Sequence, residues 1–185
     1  TTDQRQGQVA GSRTAAFDDI RMHAPEADLT PVTPSIERAN SSIRFGERYV
    51  LKLIRRALPG PTHEVEMGRF LTERAHFPPA PRLAGTIELR SQSGEPSVVA
   101  ILQSFLPHQT DGWRQALGEL ERYFESAVAW DAGQAQVDRS LVLSGAALPE
   151  ASGPSVGSPL KMASKLGRRT AELHLTLASD AAVAE

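Results

Sequence analysis

Apolar and polar positions along the chain fall into two regimes. From about residue 30 to 105 they mostly alternate with the two-residue period of strands. Beyond it they recur every three or four residues, as on one helix face. "TPVTPSI" and "SIRFG" read as short extended runs, and Pro31 and Pro34 suit a sheet edge. "FGER" reads as a hairpin turn and "RYVLKLI" as the returning strand. "PTHEVEMGRFLTERAHF" changes period: Pro61 and Thr62 can start a helix, Glu64 and Glu66 suit its first turns, and "PPAP" stops it. "RLAGTIEL" and "SVVAILQSFL" follow as strands joined through "RSQSGEP". Trp113, Leu117, Leu120, Phe124 and Val128 then mark one face of a helix. "SGAALPEASGPSVGSP" reads as a surface loop. A last helix is expected from near Pro159 to Ala178, with Leu166, Leu173 and Leu177 as its buried stripe. Residues 1–29 are polar and mixed, and "GQVAGSRTAAFDDIR" can hold one strand and one turn of helix. There is no internal repeat.

Composition sharpens this α+β picture. The 185 residues suffice for one domain, or for one lobe and part of another. With 40% hydrophobic but only 5% aromatic residues, the core must be mostly aliphatic. A net charge of -2 gives no electrostatic reason to expect nucleic acid or an anionic membrane as partner. The absence of cysteine excludes disulfides and thiolate metal sites. No apolar run is long enough to span a bilayer, and "TTDQRQGQVAGSRT" lacks the apolar centre of a signal peptide, so a soluble, cytoplasmic protein is expected. The first residue is not Met, and the chain reads as an internal part of a longer polypeptide.

Candidate chemistry centres on Lys52. In a strand, Val50, Lys52 and Ile54 point one way and Tyr49, Leu51 and Leu53 the other. An ammonium in so apolar a strand needs a carboxylate partner, or a sheet edge from which it reaches solvent. Glu64 and Glu66 flank the apolar face of Met67, Phe70 and Leu71 at similar angles, so helical spacing does not choose between them. The five histidines (23, 63, 76, 108 and 174) are scattered and show no metal-ligand spacing. His174, beside the stripe of the last helix, reads as a partly buried structural histidine.

Three segments, "NSSIRFGERYVLKLIRR", "EVEMGRFLTE" and "LGRRTAELHLTLASD", resemble the maltokinases, including the maltokinase domain fused to bacterial trehalose synthases. The likeness runs from about residue 30 to 180 and is weakest over 132–158. It implies a protein-kinase-like small lobe over 30–106, the start of a helical large lobe over 107–185, and a connection from an N-terminal cap over 1–29. It also implies a nucleotide site. Val50 would roof the adenine, Lys52 would reach the phosphates and Glu66 would pair with it. Ser41 and Ser42, in the loop "ERANSS", would take the place of the glycines that protein kinases use over the phosphates. Ser104 and Leu106 would supply hinge contacts, with Gln103 at the back of the pocket.

The expected ligands are ATP with Mg²⁺, and maltose as phosphoryl acceptor, giving maltose 1-phosphate in trehalose-to-α-glucan metabolism. Trehalose synthase is the expected fusion or complex partner. The "HGD"-like catalytic loop and "DFE"-like metal segment of the family do not occur in this sequence. No catalytic residue or metal ligand is therefore assigned here, and the sequence alone is expected not to phosphorylate maltose. Another phosphotransferase of the aminoglycoside-kinase type is the alternative enzyme. A non-catalytic lobe that binds nucleotide or a partner chain is the alternative from a different class.

Overall fold

The computed structural model describes residues 7–23, 28–33, 40–91, 94–108, 110–129 and 154–179. The chain divides into two compact units, Thr1–Pro107 with Ser179–Glu185, and His108–Ala178. The first unit is built on a six-stranded antiparallel sheet. In chain order its elements are β1 (Gly7–Arg13), α1 (Ala15–Met22), β2 (Pro31–Val32), β3 (Asn40–Phe45), β4 (Tyr49–Ile54), α2 (His63–Arg69), β5 (Leu83–Ser91) and β6 (Ser97–Ser104). The strands lie in the order β1-β5-β6-β4-β3-β2. The antiparallel sheet and the helix after its Lys52 strand match the sequence expectation.

Several boundaries differ from it. The strand expected within "GQVAGSRTAAFDDIR" is β1, which pairs along its whole length with β5, from Gly7↔Ser91 to Arg13↔Gly85. α1 is eight residues long rather than one turn. Within "TPVTPSI", Pro31 and Val32 form a short edge strand against Phe45 and Arg44, and residues 34–39 lie outside the described residues. The β3–β4 turn is tight: Gly46 adopts a φ of 54°, a left-handed conformation that costs glycine nothing, and the Arg48 amide donates to the Phe45 carbonyl.

The apolar centre of the sheet is Leu83, Val98 and Ile101, with Ile54 and Val65 packed on it. Strict alternation would not place all three on one face. The β5–β6 ladder shifts register between Leu83 and Gly85 and again between Ile87 and Glu88, which brings Leu83 and Val98 round to the side of Ile101. Leu83 and Ile101 are completely buried, and full burial of such a side chain stabilises a fold by about 1.5–3 kcal/mol. On the opposite face Tyr49 is buried, its ring stacked 5.6 Å from that of Phe17, and its hydroxyl donates to the Phe17 carbonyl at 3.0 Å.

α2 seals the core. It does not present the face of Met67 that its sequence suggests, since Met67 is 43% exposed. Val65 packs on the core and Gly68 sits against Leu83, where an added Cβ would make an ordinary contact at 3.6 Å with the Leu83 Cβ. The helix continues into a π turn over Phe70–Arg74, closed by the Ala75 amide donating to the Phe70 carbonyl. That turn buries Leu71 and sets the Thr72 hydroxyl to accept from the Leu83 amide at 2.8 Å.

The second unit holds α3 (Gly112–Ala129) and α4 (Pro154–Ala178), which pack on each other. α4 begins at Pro154, ahead of the expected start near Pro159; the rest of the expected loop lies outside the described residues. Trp113, Leu117, Leu120, Phe124 and Val128 are exposed, as is Leu166, whereas Leu173 and Leu177 are half-buried. His174, expected to be partly buried, is exposed. Among the described residues no helix is long and apolar enough to cross a membrane.

Candidate functional site

β4 carries Lys52 between two neighbours. Across one ladder it faces Ser42 of β3, and across the other Ile101 of β6. Directly opposed residues of antiparallel strands share a face. Lys52 therefore lies on the side that α2 covers, beside the core of Ile101, Leu83 and Ile54. Its side chain retains 24% of its exposure. An ammonium so placed loses part of its hydration and gains from a carboxylate within reach.

Glu64 supplies that charge. The Lys52 Nζ donates to both carboxylate oxygens of Glu64, at 2.7 Å to Oε1 and 3.0 Å to Oε2. The expected partner, Glu66, points elsewhere: it is exposed and lies 3.3 Å from the Nδ1 of an almost fully exposed His63. The cause is the rotation of α2. Positions 64 and 68 fall on one face at helical spacing, and that face meets the sheet, with Gly68 against Leu83. Glu64 is thereby carried over β4 and Glu66 is turned towards solvent.

The remaining expected residues separate into two groups. Ser42, Val50, Lys52 and Gln103 share the α2 side of the sheet: Ser42 opposes Lys52, and Val50 opposes Arg44 on one side and Gln103 on the other. Ser42 is buried, and Val50 and Gln103 are half-buried. Ser41, Ser104 and Leu106 fall outside this group. Ser41 and Ser42 are not loop residues as expected but belong to β3, because the strand begins at Asn40; Ser41 opposes Leu53 and faces the other side. Ser104 opposes Tyr49, again on the other side. Its amide donates to the Arg82 carbonyl at 2.8 Å and its hydroxyl accepts from the Arg82 amide at 2.8 Å, so the amide expected at a hinge is already engaged. Leu106 lies beyond the end of β6 and is 41% exposed.

Two other features escaped the sequence. Arg48, in the β3–β4 turn, is buried, and its Nε and Nη2 atoms have no hydrogen-bond partner. A groove of about 580 Å³ runs between α1 and the π turn, lined among others by Ala16, Asp19, Leu71, His76, Phe77 and Arg82, and it includes none of the expected nucleotide residues. Within it Arg82 donates to Asp19 at 2.5 Å, and that hydrogen bond holds the Asp19 carboxyl below its ordinary value of 3.8. No family model matches the chain.

Chemically, the cluster around Lys52 offers a cation fixed in direction by a two-point contact with a carboxylate, next to a serine and flanked by an apolar strip. A cation of this kind can bind a phosphate while its carboxylate partner keeps it oriented.

Proposed function

We propose that residues 30–106 are the nucleotide-binding small lobe of a kinase-like phosphotransferase of the maltokinase type, with Lys52 as the phosphate-binding lysine and Glu64 as the carboxylate that positions it. The observation that carries this reading is the Lys52–Glu64 pair, a strand lysine held by a carboxylate from the helix that follows its strand. The succession of three strands, a helix and two strands from β2 to β6 supports it, as does the grouping of Ser42, Val50 and Gln103 with Lys52 on one face. Val50 and Gln103 then border the adenine side and Ser42 the phosphate side. ATP with Mg²⁺ supplies the transferable phosphoryl group. The proton acceptor and metal ligands that such a transfer requires are expected outside this sequence, as is the maltose site.

Titration of the chain with Mg²⁺-ATP, followed by amide hydrogen exchange, tests the reading. Slowed exchange in β3 and β4 is expected, and Lys52→Ala is expected to weaken binding at least tenfold while leaving the unliganded exchange pattern of β5 and β6 unchanged. Equal affinity of the variant and the wild type would remove Lys52 from the nucleotide site. No maltose 1-phosphate is expected from the chain alone.

A further inference from the structure

The pairing register of β1 determines which of its backbone groups remain unpaired. The Thr14 amide donates to the Ala84 carbonyl at 2.9 Å, in line with the β1–β5 register. In an antiparallel ladder directly hydrogen-bonded pairs alternate with non-bonded ones. Ser12, Ala10 and Gln8 therefore direct their N–H and C=O groups towards β5. Gly7, Val9, Gly11 and Arg13 direct theirs away from the sheet. Among the described residues no strand pairs with that outer side.

Protein edges of this length are normally blunted by proline, by an outward charge or by a bulge. β1 has no proline, and its ladder with β5 runs without a register shift. Its one charged residue, Arg13, is drawn to Asp18 at 3.5 Å. Val9 is 67% exposed, and the space beside Gly11, where a Cβ would project, is open.

We infer that the free edge of β1 pairs antiparallel with β1 of a second copy of this chain, about a two-fold axis at Ala10. The sequence GQVAGSR favours a copy of itself over an arbitrary strand. With the axis at Ala10, Val9 meets Gly11, Arg13 meets Gly7 and Gln8 meets Ser12, so each larger side chain faces a smaller one. All four outward-directed residues then meet outward-directed partners and exchange both hydrogen bonds. Moving the axis to Val9 or Gly11 leaves Arg13 or Gly7 without a partner in β1 and sets Val9 against Val9 or Gly11 against Gly11. Two seven-residue strands bury less than the roughly 1,200–2,000 Å² of a stable complex, so the association is reversible and concentration-dependent. This inference does not depend on the proposed nucleotide site.

Because the chain has no cysteine, single-cysteine variants report the geometry directly. At the axis the two Ala10 residues form a non-hydrogen-bonded pair with Cα atoms about 4.5 Å apart, within the ~4.4–6.8 Å that a disulfide spans. Ala10→Cys is expected to form a covalent dimer under mild oxidation. Gln8→Cys is not, since its copies lie four residues apart along the strands, about 13 Å. In sedimentation, the wild-type mass is expected to rise with concentration towards twice that of the monomer. Val9→Pro removes an outward amide without touching the β5 ladder and is expected to hold the chain monomeric with β5 and β6 exchange unchanged. Three results would overturn the inference: equal cross-linking of the two cysteine variants, a wild type that stays monomeric throughout, or a Val9→Pro variant that associates like the wild type.

Discussion

Replacing Glu64 by Gln keeps the shape of the side chain and removes its charge from Lys52. The expected loss follows from the position of the pair. Solvent-exposed ion pairs contribute about 0.2–1 kcal/mol, and breaking a buried one costs about 3–5 kcal/mol. Here the side chains keep 24% and 40% of their exposure, which places the pair nearer the exposed limit after screening by solvent. About 1 kcal/mol is expected, which is roughly a fivefold change in a local opening equilibrium.

The assay must report on β4 and α2 themselves. Tryptophan fluorescence does not, because both tryptophans, at positions 113 and 130, are remote in sequence from β4 and α2. Amide hydrogen exchange does: Glu64→Gln is expected to speed exchange in Tyr49–Ile54 and His63–Arg69 about fivefold, and less at high salt. Glu66→Gln, which touches only an exposed histidine, is expected to change neither segment measurably. Combining either variant with Lys52→Met should show coupling for Glu64 and none for Glu66. If Glu66→Gln accelerated exchange as much as Glu64→Gln, or coupled to Lys52, the assignment of the partner from the rotation of α2 would be wrong.

The remaining predictions concern charges elsewhere in the first unit. The folded form of Asp19 has a lowered pKa because Arg82 donates to it, so its contribution is present above the unfolded value near 3.8 and is lost as pH falls through the folded one. Stability curves of the wild type and Asp19→Asn should therefore differ at neutral pH and converge under strong acid; curves that stay parallel would contradict the linkage. The Arg48 guanidinium is buried with two unpaired nitrogens, so Arg48→Met, which keeps the stem, should leave the thermal midpoint followed by circular dichroism unchanged or raise it. A clear fall in that midpoint would show that the guanidinium is compensated after all.

Much of the sheet was legible because its strands carry strong local signals. "RYVLKLI" alternates, "FGER" holds a glycine that can take the left-handed turn, and "PPAP" ends a helix; all these cues act within a few residues. The partner of Lys52 was not legible, because it depends on how α2 is rotated about its axis. Met67 advertised the wrong face, while Gly68, which meets the sheet, contributes no side chain to a hydrophobic pattern. Ser41 and Ser42 look like loop residues by composition, yet cross-strand pairing with Leu53 and Lys52 overrides that preference. β1 was hardest to place. Its glycines and polar residues give no apolar alternation, and it is a strand chiefly because β5, distant in sequence, presents a ladder for it to pair with.

The π turn at Phe70–Arg74 has a consequence for how this lobe tolerates change in length. A π turn is an α-helix with one residue too many for its span, and the surplus separates the phase of the helix before it from the phase after it. Ahead of it, Glu64 and Gly68 are aligned with Lys52 and Leu83; within it, Leu71 and Thr72 are aligned with the start of β5 and with the groove beside α1. Loss of one residue from the turn would restore regular α-helix and re-aim only the second set, leaving the lysine–carboxylate pair where it is. The two ends of this one helix are thus free to drift apart in evolution, one bound to the chemistry on β4 and the other to whatever the groove comes to hold.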